Sequence, residues 1–319
     1  MNVTLKTIAE RAGVSIRTVT RALKGEPGGH PRTGDRVRAC ADALGYTPNL
    51  AAWHLRTRQR PTVGIVGPDS ALPVYTRKIL SLQRTLAQRG RYTLSGLLPD
   101  TPDALSRMLR EWAGWVRHVV FFAWRADWEI ASVAAPLGLT CYFVDCPAAP
   151  AAMPRLEINR RAGIQAGVEA LMDAGRKKIA RAGTMLENRA AGFRDAFRAR
   201  GRRPARRALY PTDGLEFADG YRIGPALLRD GVDGVFFDTD RLALGFLKFA
   251  RERGVRVPGD VAVIGFDDDP AGQYVCPALS TVAHPIEDMS RTLAQWIETE
   301  TGGRKRRVFP TRFVRRESV

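Results

Sequence analysis

From residue 61 onward, short apolar segments alternate with amphipathic stretches of helical period. Four of these stretches end at a glycine that is followed by another apolar segment, at Gly90, Gly175, Gly201 and Gly254. Glycine commonly ends a helix because it adopts the left-handed conformation without a steric penalty. Repeated strand–helix–strand units predict parallel sheets covered by helices. This part of the chain is therefore predicted to be α/β.

The predicted elements fall into two similar halves. In the first half, strands are expected at 62–66, 92–94, 116–122 and 140–144, and helices at 75–89, 102–112 and 127–135. In the second half, strands are expected at 178–182, 232–237 and 261–264, and helices at 164–174, 188–200, 219–229 and 241–253. Two parallel-sheet subdomains bind ligands at the carboxyl ends of their strands, here in the cleft between the halves.

The basic charge of the chain is concentrated at its two ends. The net charge is +17 over 319 residues. Residues 1–60 carry 11 basic and 4 acidic side chains. Residues 61–303 carry 32 basic and 28 acidic side chains, and residues 304–319 carry 7 basic side chains and 1 acidic one. The long middle is thus nearly neutral. A basic N-terminal segment indicates an anionic partner such as nucleic acid.

The sequence also argues against several classes of protein. The N-terminus lacks an apolar signal-peptide core, and the uncharged stretch 131–144 is too short and too broken to span a bilayer. Four cysteines without a CxxC motif fit a reducing compartment, so we expect a cytoplasmic, nucleoid-associated protein without a membrane partner. The sequence has no P-loop, GxGxxG or GxSxG motif, and its four histidines are scattered. We therefore expect no enzyme activity, cofactor or metal.

The first sixty residues have the pattern of short helices joined by a tight turn. Thr4 is the expected N-cap of a helix over 5–11, and Ser15 is the expected N-cap of a second helix over 16–23. Between them, Gly13 allows a turn with positive φ. This is the plan of a helix-turn-helix motif, in which the second helix presents polar residues outward.

Two arginines in the second helix suit the major groove of DNA. Arg17 and Arg21 are four residues apart and so share one face of the helix. A guanidinium on that face can bond both O6 and N7 of guanine, although an amphipathic helix pair with surface arginines has the same pattern. A third helix is expected over 33–44, and a marginal helix over 48–56 is expected to fold on binding.

Several segments carry a resemblance to a known family. The first group is TLKTIAERAGVS at 4–15, TVTRAL at 18–23 and LGYTPN at 44–49, which resembles the DNA-binding headpiece of the lac-repressor (LacI/GalR) family. The second group is RAAGF at 189–193, DRLALG at 240–245, VIGFDD at 263–268 and PTRFVRRES at 310–318, which more loosely resembles the effector domain of that family. That domain is similar to periplasmic sugar-binding proteins.

The resemblance implies a domain organisation. It places an all-α helix-turn-helix headpiece at 1–47, a hinge helix and linker at 48–60, and an α/β effector-binding and dimerisation domain of two parallel-sheet subdomains at 61–319. Crossovers between the subdomains are expected near 155–160, 283–287 and 310–315.

The resemblance also implies roles for individual residues in the headpiece and hinge. The positions that match base-reading residues are Ile16, Arg17 and Arg21. The positions that match contacts to the phosphate backbone are Thr4, Thr18, Tyr46 and Asn49. Leu55 matches a hinge leucine that wedges into a minor-groove step, with packing on the next domain as the alternative.

In the cleft, the resemblance implies an effector site. The polar positions that commonly bind the ligand are Asp145, Arg189, Thr239 and Asp267, and aromatic candidates for the apolar wall are Trp124 and Phe217. The alternatives are an ion pair between Arg189 and an acid, core positions for the two aromatics, and a magnesium site at 267–269.

Two departures from the family pattern leave the effector open. Relatives commonly carry Asn-Asp at the positions of Thr239 and Asp240, and Asp-Asn at the positions of Asn159 and Arg160. A sugar is the default effector, while Arg160 would suit a sugar acid or a phosphorylated compound; a purine-like effector fits less well.

The resulting prediction is a dimeric, ligand-responsive repressor of carbohydrate-metabolism genes that binds a palindromic operator. The alternative is a cytoplasmic solute-binding protein or sugar-processing enzyme with a basic N-terminal appendage. The basic run 304–307 is expected to be a solvated loop before one strand over 308–314, with a DNA contact as its alternative. Since no leucine heptad follows, a dimer is expected rather than a tetramer.

Overall fold

The computed structural model describes residues 3–24, 30–46, 61–70, 72–123, 128–146, 148–185, 187–303 and 305–319. The chain divides into two compact units, residues 1–60 and residues 61–319. No helix within the described ranges is long and apolar enough to cross a membrane.

The described residues of the first unit form three helices around a small apolar core. They are α1 (Leu5–Ala12), α2 (Ile16–Lys24) and α3 (Pro31–Ala43). The fully buried apolar side chains between them are Ile8, Ala9, Ala12, Val19, Val37 and Ala41. Gly13 ends α1 with a φ of 63°, as the turn requires. Helix α3 begins two residues earlier than expected, because a proline fits the first turn of a helix.

In the second unit, the first subdomain is a parallel six-stranded sheet with strand order β11-β5-β4-β3-β1-β2. Its strands are β1 (Thr62–Gly67), β2 (Tyr92–Leu97), β3 (Val116–Phe121), β4 (Thr140–Val144), β5 (Arg155–Ile158) and β11 (Arg306–Phe309). Its helices are α4 (Pro73–Ala87), α5 (Pro102–Trp112), α6 (Ile130–Ala134) and α11 (Ile286–Glu298).

The second subdomain is a parallel four-stranded sheet with strand order β7-β6-β8-β9, beside an antiparallel pair, β10-β12. Its strands are β6 (Ile179–Gly183), β7 (Leu209–Pro211), β8 (Gly234–Phe237), β9 (Ala262–Ile264), β10 (Thr281–Ala283) and β12 (Arg312–Val314). Its helices are α7 (Arg160–Asp173), α8 (Glu187–Ala199), α9 (Phe217–Arg229) and α10 (Asp240–Glu252), with a short 3₁₀ helix at Pro270–Gln273. The parallel α/β architecture predicted from the alternation is confirmed.

The chain passes between the two subdomains three times. It crosses at Asn159 between β5 and α7, at His284 and Pro285 between β10 and α11, and at Pro310 and Thr311 between β11 and β12. The expectation of one strand over 308–314 is wrong. Pro310 lacks the N–H that a continuous ladder needs, so the segment forms two strands in two different sheets.

The expectation for the basic run is also corrected where the structure describes it. Arg306 and Arg307 belong to edge strand β11, which pairs in parallel with β5, rather than to a loop. Helix α11 and the short strands β5, β7 and β10 were not predicted from the sequence. The remaining elements agree with the prediction apart from shifted ends, and the four glycines that end helices all have positive φ.

Candidate functional site

The outward face of α2 is the candidate DNA-reading surface. Ile16, an apolar residue, is 46% exposed, and Arg17 is exposed beside it in the first helical turn. Arg21 is half-buried one turn later, whereas Val19 points into the headpiece core. An exposed apolar side chain next to a guanidinium is suited to base edges, since one contacts a thymine methyl and the other bonds guanine.

Two of the predicted phosphate contacts already have partners inside the headpiece. The Thr4 hydroxyl accepts a hydrogen bond from the Thr7 backbone N–H at 3.3 Å and caps α1. The Thr18 hydroxyl lies 2.9 Å from the Ser15 hydroxyl at the start of α2. A hydroxyl has one donor and two acceptor positions, so either can still bond a phosphate oxygen.

Tyr46 is half-buried and packs against the headpiece core. Asn49 and Leu55 lie outside the described residues. Helix α3 is held to α2 by Arg38, which donates to the backbone oxygen of Ala22 at 3.2 Å and to Asp35 at 2.7 Å. The reading helix is therefore fixed by its neighbour.

The second candidate site is a cluster of buried and half-buried ionisable side chains where the two subdomains meet. We call it the cleft cluster, and its members are Lys78, Asp145, Arg160, Asp267 and His284. They come from five places in the chain: helix α4, the turn after β4, the first residue of α7, the turn after β9, and the crossover after β10. Loops at the carboxyl ends of parallel strands bring them together, as expected for a ligand site of this fold class.

Asp145 is the centre of the cleft cluster. Arg160 forms a two-point ion pair with it, with Nη1 to Oδ1 at 2.5 Å and Nη2 to Oδ2 at 2.6 Å, and Lys78 pairs with Oδ2. Burial alone would raise the pKa of Asp145, but Lys78 and Arg160 outweigh it and hold that pKa below its usual range. Asp145 is therefore a charged, paired side chain rather than a free acceptor.

His284 is buried between two carboxylates. Its Nε2 lies 3.1 Å from Asp267 Oδ1, and its Nδ1 lies 4.0 Å from Asp145 Oδ2. Neither nitrogen makes a hydrogen bond of good geometry within the described residues. Burial, assisted by Lys78, lowers the pKa of His284 to about 4, although the two carboxylates act in the opposite direction. A neutral imidazole facing the cleft is available to a ligand hydroxyl.

Arg189 lies at the start of α8 and is 8% exposed. Its Nη1 donates to the backbone oxygen of Asp238 at 2.8 Å and lies 3.7 Å from the Asp238 carboxylate. That carboxylate is already bound at two points by Arg181, at 2.8 and 2.6 Å. The Arg189 guanidinium stacks over the ring of Phe266, 5.3 Å from its centroid, and its Nε has no partner among the described residues.

Arg77 joins the two subdomains across the cleft. From α4 it donates to the backbone oxygens of Asp267 and Asp268. The carboxylate of Asp268 binds Arg316 at 2.6 Å, and Asp269 caps the 3₁₀ helix. The three aspartates thus have separate partners, and the described residues include no group of His, Cys, Asp or Glu arranged to hold a metal ion.

Two predicted effector residues that the structure describes, Thr239 and Phe217, lie outside the cleft cluster. Thr239 is the N-cap of α10, and its hydroxyl donates to the backbone oxygen of Leu215 at 3.1 Å. Phe217 is the first residue of α9, 43% exposed, and lies under the guanidinium of Arg241 at 4.8 Å. Trp124 lies outside the described residues. Asp145 and Asp267 belong to the cluster, and Arg189 lies beside it.

Four cleft residues were not predicted from the sequence: Arg77, Lys78, Asp238 and His284. Two signals were available for them. Two consecutive basic residues stand near the start of the helix that follows β1, and His284 and Asp238 each directly follow an apolar strand. Residues directly after a parallel strand lie at the ligand edge of the sheet.

A cavity of about 320 Å³ opens beside the cluster and is lined by Asp145, Glu157, Ile158, Asn159, Arg160, Arg161, Arg306 and Val308. That volume is within the range of small-ligand sites. It reaches Asp145 and Arg160 from the side of the crossover at Asn159.

Comparison with known proteins gives two family matches. Residues 4–49 match the bacterial regulatory proteins of the lacI family, and residues 168–319 match a periplasmic binding protein-like domain. Among curated relatives, the HTH-type transcriptional regulator GntR of Pseudomonas aeruginosa is 30% identical over 310 residues, covering 95% of this chain and 90% of that protein. Catabolite control protein A of Priestia megaterium is 26% identical and covers 94% of each chain.

Solved structures agree over the whole length. The lac repressor dimer bound to operator and the anti-inducer ONPF has a TM-score of 0.85 at 21% identity, covering 100% of this chain and 99% of that one. The complex of the transcriptional regulator CelR with cellobiose has a TM-score of 0.72 at 26% identity, covering both chains completely. With headpiece, effector domain and full-length relatives in agreement, the chain belongs to the LacI family of bacterial transcriptional regulators.

Proposed function

We propose that this protein regulates transcription as a dimer that binds a palindromic operator and responds to a carbohydrate or a carbohydrate derivative. The observation that carries the proposal is the pairing, in one chain, of an exposed reading helix with a charged small-molecule cleft. The family consists of DNA-binding regulators rather than enzymes, so the enzyme alternative is dropped.

The DNA-binding part of the proposal rests on α2. Ile16 and Arg17 project from its first turn, which is the end of a recognition helix that contacts base edges. We assign base reading to these two residues and to Arg21. Thr4, Thr18, Tyr46 and Asn49 are proposed to contact the phosphate backbone, and Leu55 is proposed to contact the minor groove.

The effector part rests on the cleft cluster and on Arg189. Arg189 presents a buried Nε without a hydrogen-bond partner among the described residues, and the His284 nitrogens make no hydrogen bond of good geometry there, so a ligand that bonds them removes a cost of burial. Asp267 and Asp145 supply carboxylate oxygens, which suit ligand hydroxyls. The CelR structure contains cellobiose, a sugar, which favours a carbohydrate as ligand here.

Coupling between ligand and DNA is proposed to run through closure of the cleft. Arg77 on α4 and the carbonyl groups of Asp267 and Asp268 lie on opposite subdomains. A ligand bound in the cleft therefore changes the separation of the subdomains that these hydrogen bonds join. The first subdomain follows directly in the chain from residues 47–60. A ligand that prefers one closure state shifts the population that is competent for DNA. We propose repression of carbohydrate-metabolism genes as the output, in the cytoplasm at the nucleoid.

The test is a gel-shift assay on the region upstream of the gene, in which DNA binding by the Arg17→Ala variant is compared with DNA binding by the Arg36→Ala variant. Arg36 is exposed on α3 and serves as the matched control. Loss of a bidentate base contact costs about 1–3 kcal/mol and relaxes preference at one base pair. Equal binding of wild-type protein to the palindrome and to unrelated DNA would contradict the proposal.

A further inference from the structure

The charges around the cleft do not balance. Asp145 is shared by two cations, Lys78 and Arg160, and Asp238 is shared by two others, Arg181 and Arg189. Four cations therefore surround two carboxylates. All of these side chains are at most 15% exposed, so solvent screens them poorly.

The neighbouring groups do not remove this excess. Asp267 adds one more carboxylate, while Arg77, which donates to the backbone oxygen of Asp267, adds one more cation, and Arg316 is paired with Asp268. His284 is neutral at physiological pH because its pKa is about 4. Asp240 accepts hydrogen bonds from the Thr281 hydroxyl and the Asp269 N–H rather than from a cation, and burial raises its pKa well above the usual range.

Arg160 and Arg189 come from the starts of two adjacent helices. Arg160 is the first residue of α7 and Arg189 is in the first turn of α8, and these two helices pack closely. Gly192, one turn after Arg189, has the backbone of Arg161 directly against it, since a Cβ there would lie 2.6 Å from the Arg161 oxygen. Burial is the main cause of the lowered pKa of Arg189, and the charge of Arg160 acts in the same direction.

We propose that the effector carries a carboxylate or a phosphate on a polyhydroxylated skeleton and that this anionic group binds between Arg160 and Arg189. The inference rests on the proposed function and deepens it. The Arg189 Nε, which lacks a partner, donates to the anion, and Arg160 contributes its charge while keeping Asp145. The hydroxyl groups of the skeleton bind His284 and Asp267. A bound anion adds the negative charge that the carboxylates of Asp145 and Asp238 do not supply.

The experiment is a thermal-shift panel on the full chain, followed by calorimetric titration of any hit. The panel holds inorganic phosphate and, for each of glucose, galactose and ribose, the neutral sugar, the aldonate or uronate, and the sugar phosphate. A ligand that binds the native state raises Tm. We expect an acidic member to raise Tm while its neutral parent with the same skeleton does not. A response to the aldonate or uronate assigns a carboxylate, and a response to the phosphate assigns a phosphate.

Variants test the two arginines. Arg160→Gln leaves Asp145 paired with Lys78 and is expected to fold, yet to weaken binding of the acidic ligand roughly tenfold to a hundredfold, the scale of one or two charge-assisted hydrogen bonds. Arg189→Lys keeps a charge and should bind better than Arg189→Gln. The matched control is Arg203→Gln, an exposed arginine outside the cleft.

The outcomes separate this inference from the proposed function. Stabilisation by neutral sugars alone, or no shift from any acidic member of the panel, would overturn the inference while operator binding is unaffected. An equal shift from inorganic phosphate would overturn the polyhydroxylated skeleton. Failure of operator binding in the gel-shift assay would overturn the proposed function whatever the panel shows.

Discussion

The guanidinium of Arg77 bonds the main chain of Asp267 across the cleft, with Nη1 donating to the carbonyl oxygen at 3.0 Å. The same nitrogen donates to the carbonyl of Asp268, the next residue. Asp267 and Asp268 have φ values of 107° and 51°, a region that side-chain-bearing residues rarely adopt. This unusual backbone lets two successive carbonyl groups meet one donor.

Removing this link should loosen the cleft. Arg77→Gln is expected to lower the free energy of unfolding by about 1 kcal/mol, since the lost hydrogen bonds are charge-assisted but partly solvent-exposed. It should also change the ligand concentration needed for half-maximal release or binding of the operator. Thermal unfolding and ligand-titrated gel shifts measure the two effects. The control is the exposed neighbour Thr76→Ala; equal behaviour of the two variants would argue against a role for Arg77.

Close packing of α7 on α8 should be intolerant of a single added methyl group. In Gly192→Ala the new Cβ meets a backbone oxygen, which cannot move as a flexible side chain would. We expect a loss of about 1–3 kcal/mol in unfolding free energy, typical of overpacking, and weaker ligand binding because Arg160 and Arg189 are displaced. Chemical denaturation measures the first effect. Gly114→Ala, where a Cβ has open space, should change little.

Two buried histidines should make stability depend on pH. Burial, with Arg91 and Arg117, lowers the pKa of His118 to about 4, and burial with Lys78 does the same for His284. Between pH 6.5 and about 4 the unfolded chain then binds more protons than the native chain, so unfolding free energy falls as the pH falls. Each histidine contributes on the order of 3 kcal/mol over that window.

Denaturant titrations across this pH range provide the measurement. His118→Asn should flatten the slope in part, since it removes one of the two groups. His30→Asn, at an exposed position in the headpiece, should leave the slope unchanged. Stability that stays constant from pH 6.5 to 4 would contradict the neutral, buried state of both rings.

The basic residues of β11 should contribute little to DNA binding. Arg306 is bound to Glu157 at 2.8 Å, and Arg307 stacks over Phe309 at 4.7 Å from the ring centroid. Because both have partners within the protein, the double variant Arg306→Gln, Arg307→Gln should leave the slope of log K against log salt unchanged. Each lost phosphate contact would reduce that slope by roughly one. A reduction near two would restore the DNA-contact alternative.

Local signals in the sequence account for most of the fold. Gly90 and Gly175 end helices because of their own conformational freedom, and Thr4 caps α1 through a neighbour three residues away. Such features involve residues close in the chain. Even Pro310 carried the signal that divides β11 from β12, although one strand was expected there.

The cleft cluster was harder to predict because its contacts are distant in sequence. The sequence marked Asp145 as a ligand residue and Arg160 as an unusual cation, but not that the two would pair with each other. Lys78 joins Asp145 from 67 positions away in the chain. Nothing local distinguishes that lysine from a solvated one on an amphipathic helix. Only the assembled sheets determine which charges share a partner.

The three crossings between the subdomains limit how they can move. Three chain segments run from one subdomain to the other and are adjacent, since the Thr311 hydroxyl donates to the Asn159 carbonyl at 3.1 Å and Ala283, next to His284, pairs with Arg312. Three adjacent connections of this kind act as a hinge, which resists sliding and separation of the subdomains but permits bending. We therefore expect the relative motion to be mainly rotation about the line of these crossings. Since His284 lies on that line and also faces the ligand cluster, the pivot itself is part of the recognition surface.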